Sequence, residues 1–454
     1  MKKTVNGEMT VFLSMLFLLL LSIVGSVLES ASLQTMKNQK HADAVSAIES
    51  VFAEYQKELL EEYHIFAVDS SYESDIPSED HILNRLSFYG AENMNPDILK
   101  IRYLSDDEGW PFYEQAARYE KVKNGGSILE GLDGNISVWE ETEEDSETYQ
   151  KEDAETSEKL SELLEDTEEG LPQDNNPIQA VENIKSGHIL QWVLPEQFSL
   201  SQKTADVSSL LSHRDRNSGY GSFDRQSDMP SSVFFNLYLT ENFPCALDQE
   251  ETNGLAYGQE YLLEGKGSDE ENLEAAAGEI IWMRFAPDYA YLCTDAEKQA
   301  EAEAMAASLC VLLTVPQITE VVKHAILLAW AYGEAVVDAK TLLEGKRVSF
   351  VKTKDTWELQ LSSLIRAGSG AELPSGRDVE GGTGYREYLQ MLLALKSRET
   401  LSMRALDYIE QDFQHTDGLG FFRIDACVTA MEVHAKCLLR RGITYEFPVR
   451  YNYK

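Results

Sequence analysis

From Met9 to Leu28 the chain runs for 20 residues with no charge and no proline, and its polar side chains there are Thr10, Ser14, Ser22 and Ser26. At about 1.5 Å per residue, such a helix spans a hydrocarbon core of about 30 Å. The apolar pattern then continues. Leu33, Met36, Ala44, Val45, Ile48, Val51, Phe52, Tyr55 and Leu59 recur at helical spacing, and neither glycine nor proline occurs between Glu29 and Tyr63. The pattern predicts one helix from Glu8 to Glu62, about 80 Å long, apolar in its first half and amphipathic in its second. Lys2, Lys3 and a small-residue site at Val24–Ser26 would also suit a cleaved secretory signal. Helical periodicity running straight through Ser26 favours a retained anchor.

Farther along, Tyr63–Asp69 is a short extended run that ends the helix. Ile98–Leu104 alternates as a half-exposed strand, with Leu99, Ile101 and Tyr103 on one face and Lys100 and Arg102 on the other. Phe234–Leu239 is a strand candidate, and Tyr257–Gly265 closes in a glycine turn. Ser268 with Glu271 three residues on makes a capping box that opens a helix. Helices are expected over Ala296–Leu313 and Gln317–Glu344. The second contains Ala325–Gly333, apolar on nearly every face but half the length of a membrane span, hence a core helix. Gly345–Lys352 and Trp357–Leu361 alternate like the two strands of a hairpin, Arg366–Gly384 is a glycine-rich loop, Tyr385–Gln414 reads as one long helix, and Ile443–Tyr451 as a terminal strand. Helices and strands mix without a βαβ rhythm, so the fold class is α+β.

Composition changes the picture in two ways. The 78 acidic against 39 basic residues, a formal charge of −39, make nucleic acid an unsuitable partner, because such a surface repels phosphate. Between Glu140 and Glu169 there are 15 carboxylates against 2 lysines, with Tyr149 the sole aromatic, which opposes a packed core. The expected organisation is a transmembrane anchor over 1–28, an amphipathic stalk over 29–66 and the first α+β part of the body over 67–124. An acidic, largely disordered insert and linker covers 125–226, and the main α+β domain 227–454. A short basic tail stays cytoplasmic while a long body translocates, so the body is expected outside a single-pass anchor, with the lipid bilayer as partner.

Candidate chemistry is sparse. The five cysteines, Cys245, Cys293, Cys310, Cys427 and Cys437, include no CxxC pair; Cys427 and Cys437 are the nearest in sequence for a disulfide, while their apolar neighbours suit buried thiols. No GxSxG, HExxH, Walker loop or EF-hand loop is present. His434 and Cys437, at i and i+3, would share a helix face but lack a third ligand. Glu334 and Asp338, with Lys340 and His324 near in sequence, form a carboxylate pair of the kind used in acid–base work, or one that faces solvent or pairs with an arginine such as Arg404. Gly368–Gly370 and Gly381–Gly384 follow no strand and read as connection. No catalytic residue, metal site or cofactor is assigned.

Several stretches in order resemble an uncharacterised family of anchored proteins from Gram-positive bacteria, domain of unknown function family 5702. They are Gly7–Ser14, Leu28–Ala31, Val51–Leu60 with Tyr63 and Phe66, Glu260–Lys266 with Asn272 and Leu273, and Ala329–Glu334 with Asp338. Leu342–Val348, Trp357, and Tyr385–Leu389 with Arg404 and Asp407 complete the set. The resemblance implies a setting beside tight-adherence (Flp-type) pilus genes and supplies no catalytic residue. The N-terminus also resembles the minor pseudopilins of those systems. On that resemblance a prepilin peptidase would cut after Gly7 and leave Glu8 as the new N-terminus; the pattern calls for glutamate four residues farther on, where this chain has Phe12. The expected function is a structural or assembly component of a pilus or secretion apparatus, in contact with its other membrane proteins. The alternative is an anchored ectodomain that binds or hydrolyses cell-wall material.

Overall fold

Leu28 does not end its helix. In the computed structural model α1 runs from Asn6 to Phe52, and the side chains from Met9 to Leu28 are all exposed. Among the described residues it is the one helix long and apolar enough to cross a membrane, with a mean hydropathy of 2.7 in its most apolar window. The structure describes residues 6–72, 74, 76–91, 93–125, 129–165, 171–172, 175–223, 232–248, 252–312, 316–416 and 418–453.

The helix stops short of Glu62. The chain turns at Ala53–Gln56 and restarts as α2 (Lys57–Tyr63). No glycine or proline causes this break. The Glu54 carboxylate accepts from Arg85 Nε at 3.0 Å, Tyr89 OH at 2.6 Å and Tyr72 OH at 3.1 Å, and the Gln56 N–H donates to Ala67 O at 2.8 Å. Bonds to residues 11 to 35 positions away thus override local helix propensity. The amphipathic half of α1 is no free stalk at its far end: Ala44, Ala47, Ile48, Val51 and Phe52 are buried in a core shared with the sheet.

That sheet comprises β1 (Val68–Asp69), β2 (Asp97–Tyr103), β3 (Cys427–Leu438) and β4 (Thr444–Asn452), all antiparallel. Strand β3 is central. Met431 pairs with Ile101 of β2 on one edge and Tyr451 of β4 on the other, and β1 continues the β4 edge at Val428. Two bulges adjust the faces. Ile98 pairs with Val433 and Lys100 with Glu432, which leaves Leu99 without a partner residue and 43% exposed. The inward face of β2 is therefore Ile98, Ile101 and Tyr103, not Leu99, because an extra residue in one strand reverses the alternation. Helix α3 (Glu79–Leu86) packs with α1 over the same core.

Two compact units emerge. One holds Met1–Asp107, Arg216–Ser227 and Phe421–Lys454; the other holds Glu108–Asp215 and Asp228–Gly420. The second is helical: α4 (Asp106–Asn124, its residues from Glu108 on), α5 (Leu129–Glu165), α6 (Pro177–Ser186), α7 (Leu190–Val193), α8 (Ser232–Asn242), α9 (Gly258–Glu264), α10 (Asp269–Thr294), α11 (Ala296–Leu312), α12 (Thr319–Leu343), α13 (Leu361–Gly368), α14 (Tyr385–Leu395) and α15 (Arg398–Gln414). At its centre lies α12, buried at every position from Ala325 to Ala339 and touched by α5, α6, α7, α10, α11 and α13. Ser268 caps α10 as expected: its Oγ accepts from the Glu271 N–H at 3.2 Å and donates to the Glu271 carboxylate at 3.0 Å. The mixture of helices and strands agrees with the α+β reading.

Four expected elements differ. Phe234–Leu239 lies in α8, since an apolar run without alternation fits a helix buried on several faces as well as a strand. Residues 345–361 form no hairpin: Val348 pairs with Thr383 in a single bridge, Lys352 turns inward, and Leu361 starts α13. The expected Tyr385–Gln414 helix breaks at Lys396–Ser397, where Ser397 caps α15 through the Thr400 N–H at 3.2 Å. The acidic stretch read as disordered is the 37-residue helix α5. Trp139, Ser146, Thr156 and Leu160 are buried on one stripe, while Glu140, Glu141, Glu144 and Glu155 stay exposed. Ser146 Oγ donates to Trp282 O at 2.7 Å, Tyr149 stands edge-on to Tyr289 at 5.0 Å, and Asp153 pairs with Lys185 at 2.5 Å. The repeat is helical but largely polar, so hydrophobicity did not reveal it. Residues 126–128, 166–170, 173–174 and 224–226 of the insert lie outside the described residues.

Candidate functional site

The strongest concentration of chemistry is a buried ion network built on α10 and α12. Arg284 and Asp288 are one turn apart on α10, as are Glu334 and Asp338 on α12, so each helix turns both of its charged residues inward. Arg284 donates through Nε to Asp338 at 2.8 Å, through Nη2 to Asp288 at 2.8 Å, and through Nη1 to Phe350 O at 2.8 Å and Tyr388 OH at 3.2 Å. Lys352 enters from the irregular segment after α12, and its Nζ lies 2.5 Å from Glu334 and 2.8 Å from Asp338. Glu334 also accepts the Glu358 and Leu359 N–H groups at 2.9 and 2.6 Å. Arg284, Asp288 and Glu334 have no exposed surface, and Asp338 has 2%.

Two cations here face three carboxylates. Burial pushes the Asp288 carboxyl well above the usual carboxylate range, against the pull of Arg284. Its Oδ2 has no partner among the described residues, and a proton on Asp288 balances the cluster. Burial also raises Glu334, opposed by Lys352. For Arg284 and Lys352 burial favours the neutral form, but the surrounding carboxylates overcome it and both stay charged. Trp330 and Trp357 close the cluster: both indole N–H groups donate to Leu359 O, at 2.9 and 2.6 Å, and the Lys298 ammonium lies over both rings. Asp288 Oδ2 apart, these polar atoms are spent on one another. The arrangement pins α10, α12, α14 and the 350–359 segment together.

A second buried network joins α9, α14 and α15. Glu260, fully buried, accepts from Tyr385 OH at 2.8 Å and the Ala246 N–H at 2.9 Å, and burial pushes its carboxyl up to about 7. Asp407 accepts from the Ser212 N–H at 2.9 Å and Tyr261 OH at 3.3 Å.

Glu334 and Asp338 therefore do come together, with Lys352 and Arg284 and not with Arg404. Arg404 donates to the Leu262 and Leu263 carbonyls at the end of α9. Lys340 reaches Leu373 O at 3.0 Å, and His324 reaches Glu152 at 3.1 Å, outside the network. His434 and Cys437 lie on strand β3, where a separation of three puts them on opposite faces; Cys437 is buried in the core and His434 is half-buried. Among the described residues no group of three or more metal-ligating side chains exists. Cys427 and Cys437 stand ten residues apart on one strand, about 30 Å, too far for a disulfide; none of the five cysteines is in a disulfide, with Cys293 exposed and the rest buried. Gly368 packs against Ala180 of α6, and Gly384 precedes α14. Gly7 and Glu8 fall in the first turns of α1, with side chains outside the described residues, and Phe12 is exposed.

Sequence reasoning missed Arg284, Asp288 and Lys352. An Arg–Asp pair at i and i+4, with Arg284 inside the apolar Ile280–Ala286 stretch and Asp288 just after it, was a usable signal for the first two. Nothing local marked Lys352.

No curated protein matches the chain, and no solved structure matches it. Residues 167–439, more than half of the chain and the whole of both buried networks, match the Family of unknown function (DUF5702), and the chain belongs to that family.

Proposed function

We propose that this protein is a membrane-anchored, extracellular component of a tight-adherence (Flp-type) pilus or secretion apparatus in a Gram-positive cell, with a structural or assembly role. The observation that carries this reading is α1. Its apolar half is exposed along its whole length, and the same uninterrupted helix ends packed against a folded antiparallel sheet. A helix so arranged offers its membrane half to neighbouring membrane helices while the body is held at a fixed distance from them. The two buried networks support a scaffold, since their polar atoms hold helices together.

Mass spectrometry of the mature N-terminal peptide tests the reading. A chain that begins at Met1 and remains membrane-bound fits a plain anchor, and a start at Glu8 fits the pseudopilin-like one. A chain that begins at Val27 and appears in the medium overturns both. Cross-linking in membranes must in addition recover other membrane proteins of the same apparatus. An ectodomain acting on the cell wall needs an open site instead. The groove of about 290 Å³ flanked by Glu143, Glu279, Trp282 and Lys396 is where that activity would be sought.

A further inference from the structure

We propose that the turn joining β3 and β4 is a second membrane contact, in which Arg440 and Arg441 bind the phosphates of anionic phospholipids where α1 leaves the bilayer. The proposal rests on α1 being the membrane span.

Position is the first argument. Glu29 is the first charged residue after the apolar run, and Arg441 forms an ion pair with it, so the turn stands level with the end of the span. Between α1 and the turn lies an open groove of about 560 Å³, bounded by Ser22, Ser26, Glu29, Leu33, Arg440 and Arg441. The groove reaches from Leu33 back to Ser22 and so straddles the end of the apolar run at Leu28, where hydrocarbon gives way to headgroups. The groove thus opens where lipid phosphates would be.

The turn is also shaped for such a contact. Arg441 has φ 62° and Gly442 φ 75°, a left-handed bend that an arginine adopts only under constraint. On either side of the bend Leu438 is 73% exposed and Ile443 39% exposed, although Cys437 and Leu439 beside them are buried. Apolar side chains flanking paired arginines suit an interface, where the former enter the acyl boundary and the latter meet phosphate.

Charge is the third argument. The whole chain carries −39, which by itself repels an anionic surface. At the end of the span the balance reverses: Arg440 and Arg441 stand beside Glu29, and the next charges along α1 are Lys37 and Lys40. Salt screens charges beyond about 10 Å, so this local set governs what the membrane surface feels.

The test uses the full chain carrying Cys293→Ser and Leu438→Cys, labelled at position 438 with an environment-sensitive fluorophore. It is reconstituted in vesicles of phosphatidylcholine, and of phosphatidylcholine with 30 mol % phosphatidylglycerol. Flotation with both kinds of vesicle reports the span alone. The expected result is a blue shift of the label on the anionic vesicles, reversed by 0.5 M salt. The ratio of buried to exposed label should fall roughly fivefold for each arginine replaced by glutamine. Equal emission on both lipids, or an unchanged shift in Arg440→Gln/Arg441→Gln, overturns the contact while leaving the span intact. A shift that 10 mM inorganic phosphate reproduces on neutral vesicles would make it a free-anion site, and one that follows protein density would assign the turn to a second copy; either overturns the proposal. Failure to float with either vesicle overturns the span itself.

Discussion

Replacing Lys352 by methionine should be among the most damaging single changes in the helical unit. The side chain is 2% exposed, and its Nζ serves both Glu334 and Asp338. Methionine fills most of the volume, so the loss is chiefly electrostatic. Asp338 keeps Arg284, and Glu334 keeps two backbone N–H groups, but with Asp288 protonated two buried carboxylates would then share one cation. Removing one partner of a buried ion pair costs about 3–5 kcal/mol. At roughly 2–4 °C per kcal/mol for a unit of this size, the melting temperature should fall by about 6–20 °C. The assay is thermal unfolding of the detergent-solubilised chain, followed by the fluorescence of Trp330 and Trp357, which border the network. Lys352→Met/Glu334→Gln supplies the control, because neutralising the orphaned carboxylate should restore at least about 1 kcal/mol of the loss. A single variant within about 1 kcal/mol of the parent, or a double variant as unstable as the sum of the singles, would refute the argument.

Trp330→Ala should cost about 3–5 kcal/mol, since the ring is 1% exposed and its N–H would leave Leu359 O with one donor fewer; urea denaturation measures it, and a midpoint unchanged within error contradicts it. The folded Glu260 carboxyl, pushed up to about 7 from an ordinary 4.5, holds its proton more tightly than the unfolded one. Its contribution is therefore full below about pH 4.5 and is lost as pH rises toward 7. Glu260→Gln should gain stability relative to the parent across that window and show no further change above it; urea midpoints at pH 5 and 7.5 decide the sign. Deleting residues 140–165 should lower the melting temperature by more than about 5 °C, because α5 covers Trp282 and Tyr289; a drop of less than about 2 °C would restore the reading of this segment as a spacer.

The elements legible in the chain are those whose cause is local. An uncharged run of 20 residues, a Ser268–Glu271 box and the all-apolar faces of Ala325–Gly333 each state their structure within one or a few helical turns, and α1, α10 and α12 follow them. Helix α5 stands between: its stripe of Trp139, Ser146, Thr156 and Leu160 has helical spacing, yet too few of its members are apolar to outweigh the charge around them.

Other features exist only because distant residues meet. Helix α1 ends at Phe52 because Arg85 and Tyr89 hold Glu54. Strand β2 finds its partner more than 300 residues away in β3, and the bulge that exposes Leu99 is a property of that pairing, invisible in β2 by itself. The carboxylates on α12 read equally as an acid–base pair, a solvent-facing pair or partners of an arginine, and only the arrival of Lys352 and Arg284 from other segments decides among these. A buried charge is tolerable only when its counter-charge is buried with it, and which segment supplies that counter-charge depends on how the helices pack. Periodicity along the chain determined the span and the core helices; the partners of Glu54, Glu334 and β2 were decided by tertiary contact, because the energies that select them arise between residues that local sequence never brings together.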